Sequence, residues 1–297
     1  MTGIAVRRIA GIAAGAAAIG LALAAAILLP APLGKAAASP PLPARPVRIV
    51  SLNLCTDQLL MQLVDPARIA AVTHLAADPH YSAMAAEAQR LPITRGTAEE
   101  VIALRPDLVL AGTFSARQAV AMLRRLGYPV VELAPETDFA AITANIRLLA
   151  AAVGEEERGA AMVREVEAAL AAVPPVPQDP PLYADYAANG FSSGDGTLLA
   201  EVANRAGFRT LGQHLGWDGV RQVSLEQLLH TPPAVIDLGD PATAPALAQE
   251  TVRHPAMRHL LRDAEVLATP SRYTACGNLR TLRALEALVA ARHGLDA

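Results

Sequence analysis

The spacing of apolar residues predicts one long amphipathic helix near the middle of the chain, over Glu155–Val173. Apolar side chains recur there three and four residues apart, which places them on one helical face. Gly154 precedes this segment and the proline-rich stretch 174–177 follows it, so both ends of the helix are marked. At about 1.5 Å per residue the helix would span roughly 28 Å, about the width of a small domain. We expect it to bridge two lobes, and a packing helix within a single α/β domain fits the same pattern equally well.

Short apolar strands alternate with helices on both sides of this segment. Before it, strands are predicted over residues 47–52, 69–73, 108–111 and 129–133, and helices over 56–64, 81–89, 97–104, 116–126 and 138–153. After it, strands are predicted over 182–187, 234–238 and 266–268, and helices over 197–206, 224–229, 254–261 and 279–292. Alternation with short links is typical of mostly parallel sheets covered by helices. The predicted fold is α/β, with two Rossmann-like lobes over residues 47–153 and 175–297 joined by a single long helix within 154–174.

Four loops follow the carboxyl ends of the predicted strands, where open parallel sheets bind their ligands. They are Asn53–Cys55, Gly112–Ser115, Asn189–Gly194 and Ser271–Cys276. Two of these loops come from each half of the chain. The sequence therefore predicts a ligand cleft between the lobes.

The N-terminus has the pattern of an export signal. Arg7 and Arg8 precede the uncharged apolar run Ile9–Leu29, and Ala36–Ala38 supplies an A-x-A cleavage site. We expect a signal peptide over residues 1–38, a linker over 39–46 and a periplasmic body. The apolar run is also long enough to remain as an uncleaved membrane anchor.

Composition excludes some classes of function. The 297 residues carry a net charge of -3 and no basic block, which argues against a nucleic-acid partner. No P-loop lysine motif or early G-x-G-x-x-G is present, so we expect neither an enzyme nor a bound cofactor.

Five segments together resemble the periplasmic substrate-binding proteins of ABC importers, in the helical-backbone class that serves cobalamin, ferric siderophores and haem. They are RIVSLNLCTDQLL (48–60), TAEEVIALRPDLVLAG (97–112), GDGTLLAEVANRAGF (194–208), VSLEQLLHTPPAVID (223–237) and LRTLRALEAL (279–288). The resemblance implies two lobes joined by one long helix, a monomer that binds a metal chelate, and docking on a membrane permease. It also implies docking through one glutamate on each lobe. The first matches Glu99; on the second lobe the nearest glutamate is Glu201, although the matching position lies closer to Asn204.

The two cysteines, Cys55 and Cys276, fall in predicted cleft loops of different halves. Three interpretations stay open: a disulfide formed after export, two thiols that face the ligand, and two residues without a special role. A disulfide would join the two sides of the cleft. A free Cys55 near a helix start could instead act as the nucleophile of an exported α/β enzyme, the rival function.

Bare transition metal is a further alternative cargo. The histidine pairs His74/His80 and His254/His259 lack the i,i+4 spacing that places two imidazoles on one helical face, and His80 is the residue of most interest.

A metal chelate instead needs flat apolar contacts and a few oriented polar groups. The candidate ligand-binding residues are Asn53, Cys55, Thr56, Tyr81, Thr113, Phe114, Arg117, Tyr186, Phe191, Trp217, Arg272, Tyr273 and Cys276. We expect a receptor that delivers a ferric siderophore, a haem or a corrinoid to a permease. Besides the exported enzyme and the bare-metal receptor, a membrane-tethered interaction protein is a further alternative, which applies if the apolar run Ile9–Leu29 is retained.

Overall fold

The computed structural model describes residues 42–240 and 250–295. The predicted signal peptide and the start of the predicted linker lie outside the described residues. Within the described ranges, no helix combines the length and the apolar character needed to span a bilayer.

The first half of the chain forms a five-stranded parallel sheet in the order β3-β2-β1-β4-β5. Its strands are β1 (Ile49–Ser51), β2 (Ile69–Thr73), β3 (Ile93–Thr94), β4 (Leu108–Gly112) and β5 (Val130–Leu133). The helices between and after them are α1 (Leu54–Leu63), α2 (Ala85–Ala88), α3 (Ala98–Leu104), α4 (Arg117–Arg125) and α5 (Phe139–Val153). The central strands are buried on both faces, which explains their unbroken apolar sequences.

Helices cover both faces of this first sheet. Ile49 points into one apolar cluster with side chains of α1 and α5, whereas its neighbour Val50 points into a second cluster with side chains of α3 and α4. This alternation follows from the pleat of a strand, in which successive side chains face opposite ways. The first lobe is therefore a three-layer α/β unit.

The second half forms a separate four-stranded parallel sheet in the order β11-β10-β6-β8. Its strands are β6 (Leu182–Asp185), β8 (Arg209–Thr210), β10 (Val235–Asp237) and β11 (Glu265–Leu267), and β7 (Phe191–Ser193) pairs antiparallel with β9 (Val220–Gln222). The helices of this half are α7 (Leu198–Arg205), α8 (Leu211–Leu215), α9 (Leu225–His230), α10 (Glu250–Arg253), α11 (Pro255–Asp263) and α12 (Thr281–Leu295). The predicted α/β class with mostly parallel sheets in two lobes is confirmed.

Helix α6 (Glu156–Ala171, 16 residues) follows α5 of the first lobe and leads to β6, the first strand of the second sheet. Gly154 separates it from α5 in a left-handed conformation (φ 68°), as the sequence pattern predicted. Buried Met162, Val163 and Val166 of α6 belong to the largest apolar cluster, which includes residues of both sheets. The two lobes therefore share one continuous core along this helix.

The structure differs from the sequence prediction in its shortest elements. The helix predicted over residues 81–89 is limited to α2, and the short strands β3 and β8 had no strong pattern. The stretch predicted as a loop over 189–196 contains β7, and the stretch 212–220 contains most of α8 and the first residue of β9. A capping box at Thr210 and Gln213 marks the start of α8 and could have revealed that helix.

Candidate functional site

The loops after β1 and β4 are held together at the carboxyl edge of the first sheet. Asn53 caps α1, because its side-chain oxygen accepts hydrogen bonds from the amides of Cys55 (2.9 Å) and Thr56 (3.3 Å). The Asn53 Nδ2 atom donates to the Ser115 Oγ atom at 2.7 Å, across the two loops. The close approach needs Gly112, since a Cβ there would lie 2.8 Å from the Ser115 Oγ atom. The sequence correctly predicted that these two loops meet.

Beside these loops the first lobe presents an exposed apolar and cationic surface. Phe114 is 76% exposed, and Arg117 begins α4 with its side chain exposed. The Thr113 hydroxyl donates to the Leu133 carbonyl at 2.9 Å, which joins this loop to the end of β5. A hollow of about 690 Å³ extends from Phe114 and Arg117 to Glu99 at the start of α3.

A disulfide joins Cys55 to Cys276, with 5.0 Å between their Cα atoms. Cys55 is at the start of α1 in the first lobe, and Cys276 is just before α12 in the second half of the chain. Of the three interpretations left open by the sequence, the structure has the disulfide. The free-thiol interpretation is wrong, and with it the role of Cys55 as a nucleophile, because a bonded sulfur has no thiolate to offer.

Glu136 lies next to this disulfide and was not predicted as a site residue. Its carboxylate accepts hydrogen bonds from the Asn145 Nδ2 atom at 2.6 Å and from the Gly277 amide at 3.4 Å. Burial raises the pKa of Glu136, and these hydrogen bonds partly oppose that effect. Its position just after β5 is the signal that could have identified it, because β5 ends at the same edge as β1 and β4.

Four of the predicted ligand-binding residues have buried side chains. Thr56 is completely buried, and its hydroxyl donates to the Asn53 carbonyl at 2.9 Å. Tyr186 is 1% exposed, and its hydroxyl donates to the Val223 carbonyl at 3.2 Å. Trp217 is 8% exposed and fits against two glycines, Gly194 and Gly212. These side chains hold neighbouring backbone segments by hydrogen bonds or close packing, and they present almost no surface to a ligand. Cys276 is buried as well, within the disulfide.

The remaining aromatic candidates keep accessible surface. Phe191 and Tyr81 are exposed, and the Tyr81 ring meets the His80 ring edge-on at 4.9 Å. Arg272 stacks over the Tyr273 ring at 5.1 Å from its centroid, and both side chains are partly buried.

The carboxylate of Asp185, a partly buried residue of the second lobe, accepts several hydrogen bonds from β7. Asp185 ends β6 and accepts hydrogen bonds from the Ser193 amide and hydroxyl and from the Ser192 hydroxyl. Burial raises the pKa of Asp185, and these hydrogen bonds partly oppose the shift. Asp185 thus fixes β7, the strand that begins with Phe191.

The two predicted docking glutamates have different surroundings. Glu99 is exposed in the first turn of α3, and the structure gives it no ion pair among the described residues. Glu201 forms an ion pair with Arg205 at 2.9 Å, one turn further along α7. A partner arginine would therefore compete with Arg205 for Glu201 but would meet an uncommitted carboxylate at Glu99.

The described residues contain no group of three or more histidine, cysteine, aspartate or glutamate side chains arranged to hold a metal ion. His80 packs against the Tyr81 ring, and its backbone amide donates to the Asp78 carboxylate at 2.8 Å, but no group of three such side chains includes it. The bare-metal alternative therefore has no geometric support within residues 42–240 and 250–295.

Comparison with known proteins defines the class to which this fold belongs. Residues 49–264 match the model of the periplasmic binding protein family. Since the match covers well over half of the chain, the chain belongs to this family. No match is found among curated proteins.

Solved structures with the same fold cover nearly the whole body of the chain. The periplasmic haem-binding protein RhuT from Roseiflexus sp. RS-1 is 23% identical, with a TM-score of 0.67 over 83% of this chain and 98% of that one. The vitamin B12 binding protein BtuF of Vibrio cholerae is 20% identical, with a TM-score of 0.63 over 84% of this chain and 98% of that one. An ABC-type Fe3+-hydroxamate transport protein from Saccharomonospora viridis is 20% identical, with a TM-score of 0.64 over 84% and 93%. At these identities the similarity establishes the fold.

Proposed function

We propose that this protein is a periplasmic receptor that binds a metal chelate between its lobes and delivers it to an ABC permease. The observation that carries the proposal is the placement of accessible aromatic and arginine side chains on loops at the sheet edges of a periplasmic binding protein fold. Solved structures with this fold include proteins named for binding haem and vitamin B12, and one named for an Fe3+-hydroxamate transport system. The mechanism of such a receptor consists of chelate binding and movement of the lobes, without a covalent step.

The chemistry of the accessible residues suits a large, flat and partly anionic ligand. Phe114, Tyr81 and Phe191 offer exposed ring faces, which bury much apolar area per residue. Arg117 and Arg272 offer guanidinium groups, which pair with carboxylates or a phosphate in bidentate geometry. We infer that such a ligand is a ferric siderophore, a haem or a corrinoid.

Docking on the permease is proposed to use the exposed Glu99 on the first lobe. Its carboxylate is free to pair with a permease arginine, whereas Glu201 on the second lobe must first leave Arg205. We therefore propose that Glu99 contributes more to docking than Glu201.

Binding is tested by calorimetric titration of the purified periplasmic body with cyanocobalamin, haemin and ferrioxamine B. We expect one of these chelates to bind with a micromolar or lower dissociation constant. Phe114→Ala and Arg272→Gln should each weaken binding about tenfold, because each removes a contact worth about 1–2 kcal/mol. Leu148→Ala and Arg164→Gln, at exposed positions on α5 and α6, are the matched controls and should bind like the wild type. Absence of binding by all three chelates would contradict the proposed cargo.

A further inference from the structure

We propose that the Cys55–Cys276 disulfide and the hydrogen bonds beside it are positioning groups that limit how far the two lobes can separate. They attach the segment Cys276–Arg280, which leads into α12, to the first lobe. We name this segment the floor segment. The inference rests on the proposed function, since it concerns movement of the lobes around a bound chelate.

The covalent part of the attachment joins distant parts of the chain. The two cysteines are 221 residues apart in sequence. Cys55 belongs to α1, whose remaining turns are buried against the first sheet, so its position in the first lobe is fixed. Cys276 is 2% exposed and is followed within five residues by α12. The bond therefore reaches from the start of α1, at the carboxyl edge of the first sheet, to the segment that leads into α12.

Non-covalent contacts continue the attachment along the floor segment. The Gly277 amide donates to Glu136 at 3.4 Å, and the Gln62 side chain donates to the Asn278 Oδ1 atom at 3.0 Å. Arg280 forms an ion pair with Glu87 at 3.4 Å. The first-lobe partners lie on three different elements: the loop after β5, α1 and α2.

The floor segment also lies in direct steric contact with the first lobe. A Cβ atom at Gly277 would lie 2.5 Å from both the Glu136 Cβ and the Ile142 Cγ1 atoms. The Asn278 side chain is 1% exposed and bonds to the Cys276 carbonyl at 3.2 Å. Only glycine permits this close approach, so the segment cannot shift without breaking several contacts together.

Helix α12 transmits this attachment to the second lobe. Its buried Leu285 and Leu288 belong to the same apolar cluster as Leu198 and Val202 of α7. The lobes are consequently connected at two places, by α6 and by the floor segment. Two connections restrict relative motion to rotation about the line between them, and the covalent one cannot lengthen. Hinge motion around the cleft is thereby limited by the disulfide.

Interlobe distance in the ligand-free protein is the direct test. Leu126 and Val220, both exposed and on different lobes, are replaced by p-acetylphenylalanine and labelled with nitroxides. The distance distribution is measured by double electron–electron resonance. We expect the Cys55→Ala/Cys276→Ala variant to give a distribution about twofold broader than the intact protein. Equal means and widths in the two proteins would overturn the proposal.

The matched control separates lost connection from lost stability. Leu228→Ala removes a fully buried side chain from a separate cluster of the second lobe, so it lowers stability while the disulfide stays intact. We expect its distance distribution to equal that of the wild type. If Leu228→Ala broadened the distribution as much as the cysteine variant, general destabilisation would explain the effect and the proposal would fail.

Reduction of the folded wild type provides the same test without mutation. A water-soluble trialkylphosphine attacks one sulfur and releases the other as a thiolate; water then supplies the phosphine-oxide oxygen and the protons of the two thiols. We expect the same broadening, and dissociation of whichever probe binds (cyanocobalamin, haemin or ferrioxamine B) about tenfold faster. If no probe binds the intact protein, the proposed cargo fails, whereas the ligand-free distances still decide whether the disulfide limits the lobes.

Discussion

Buried carboxyl groups are the main electrostatic feature at the scale of single residues. Asp57 on α1 is completely buried, and its carboxylate accepts hydrogen bonds from the Thr73 amide (3.2 Å) and hydroxyl (2.5 Å). Burial raises the pKa of Asp57 from 3.8 to about 6, although hydrogen bonds from Ser51 and Thr73 oppose the shift. Loss of solvation thus outweighs two neighbours that favour the charged form.

Asp57→Asn tests this balance through the pH dependence of stability. The folded protein holds the Asp57 proton more tightly than the unfolded chain, so this contribution to stability is complete below about pH 3.8 and is lost as the pH rises through about 6. We expect the wild type to lose on the order of 3 kcal/mol from this group between pH 4 and pH 7. The variant should lack that loss, as measured by urea unfolding at several pH values. Parallel curves for the two proteins would contradict the assignment.

Close packing of α5 against α6 is the main feature at the scale of secondary-structure elements. A Cβ atom at Gly159 would clash with the Ala150 Cβ atom on the neighbouring helix. Glu155 immediately precedes α6 and forms ion pairs with Arg68 and, at 3.3 Å, with Arg45. The start of the connecting helix is therefore fixed by both steric fit and charge.

Gly159→Ala should destabilise the protein by about 1–3 kcal/mol, because the added methyl group forces the two helices apart. Gly294→Ala is the matched control, since a Cβ at Gly294 in α12 meets no neighbour within 4 Å. That control should be neutral or stabilising by up to about 1 kcal/mol through helix propensity. Thermal unfolding distinguishes the two, and equal effects would show that α5 and α6 do not pack as described.

Glu155→Gln should cost about 3 kcal/mol, because it leaves the Arg68 guanidinium, whose side chain is 10% exposed, without its carboxylate. The exposed pair Arg147–Glu167 on α5 and α6 supplies the comparison, with side chains 58% and 59% exposed. Glu167→Gln should change the free energy of unfolding by less than about 1 kcal/mol. A loss at Glu167 as large as that at Glu155 would refute the difference in burial.

Elements with strong local patterns were predictable from the sequence, and those that depend on distant partners were not. The apolar runs of β1 and β4 and the periodicity of α5 and α6 are properties of contiguous residues. The strands β7 and β9 have three residues each and form only by pairing with each other across the chain. At Thr97 only half of a capping box exists: the Thr97 hydroxyl accepts from the Glu100 amide, but the Glu100 carboxylate bonds to Thr94 and Arg95.

The candidate site was partly predictable for the same reason. Strand ends identified the loops at Asn53 and Phe114, since the edge at which a parallel strand ends follows from topology. Burial of Tyr186 and Trp217 depends on how the loops fold back over the second sheet, which residue type alone does not reveal. The position of Glu136 after β5 was predictable in the same way, but its hydrogen bond to the floor segment joins both halves of the chain and has no local pattern.

At the scale of the whole molecule, two parallel-sheet lobes share a core along α6 and are joined again by the Cys55–Cys276 disulfide. The sequence correctly predicted two separate sheets from the two halves of the chain. It left the state of the cysteines open, because local pattern cannot pair residues 221 positions apart. The resulting architecture gives one edge where loops of both halves meet, and it is there that we place the ligand.

Hydrogen–deuterium exchange of the wild type, with and without the chelate that binds most tightly, tests this placement most directly. We predict that bound chelate slows exchange in the loops at residues 53–56 and 113–117 of the first lobe and at 271–276 of the second, with little change in α11. Slowed exchange confined to one lobe, or to the surface of α11, would contradict binding between the lobes.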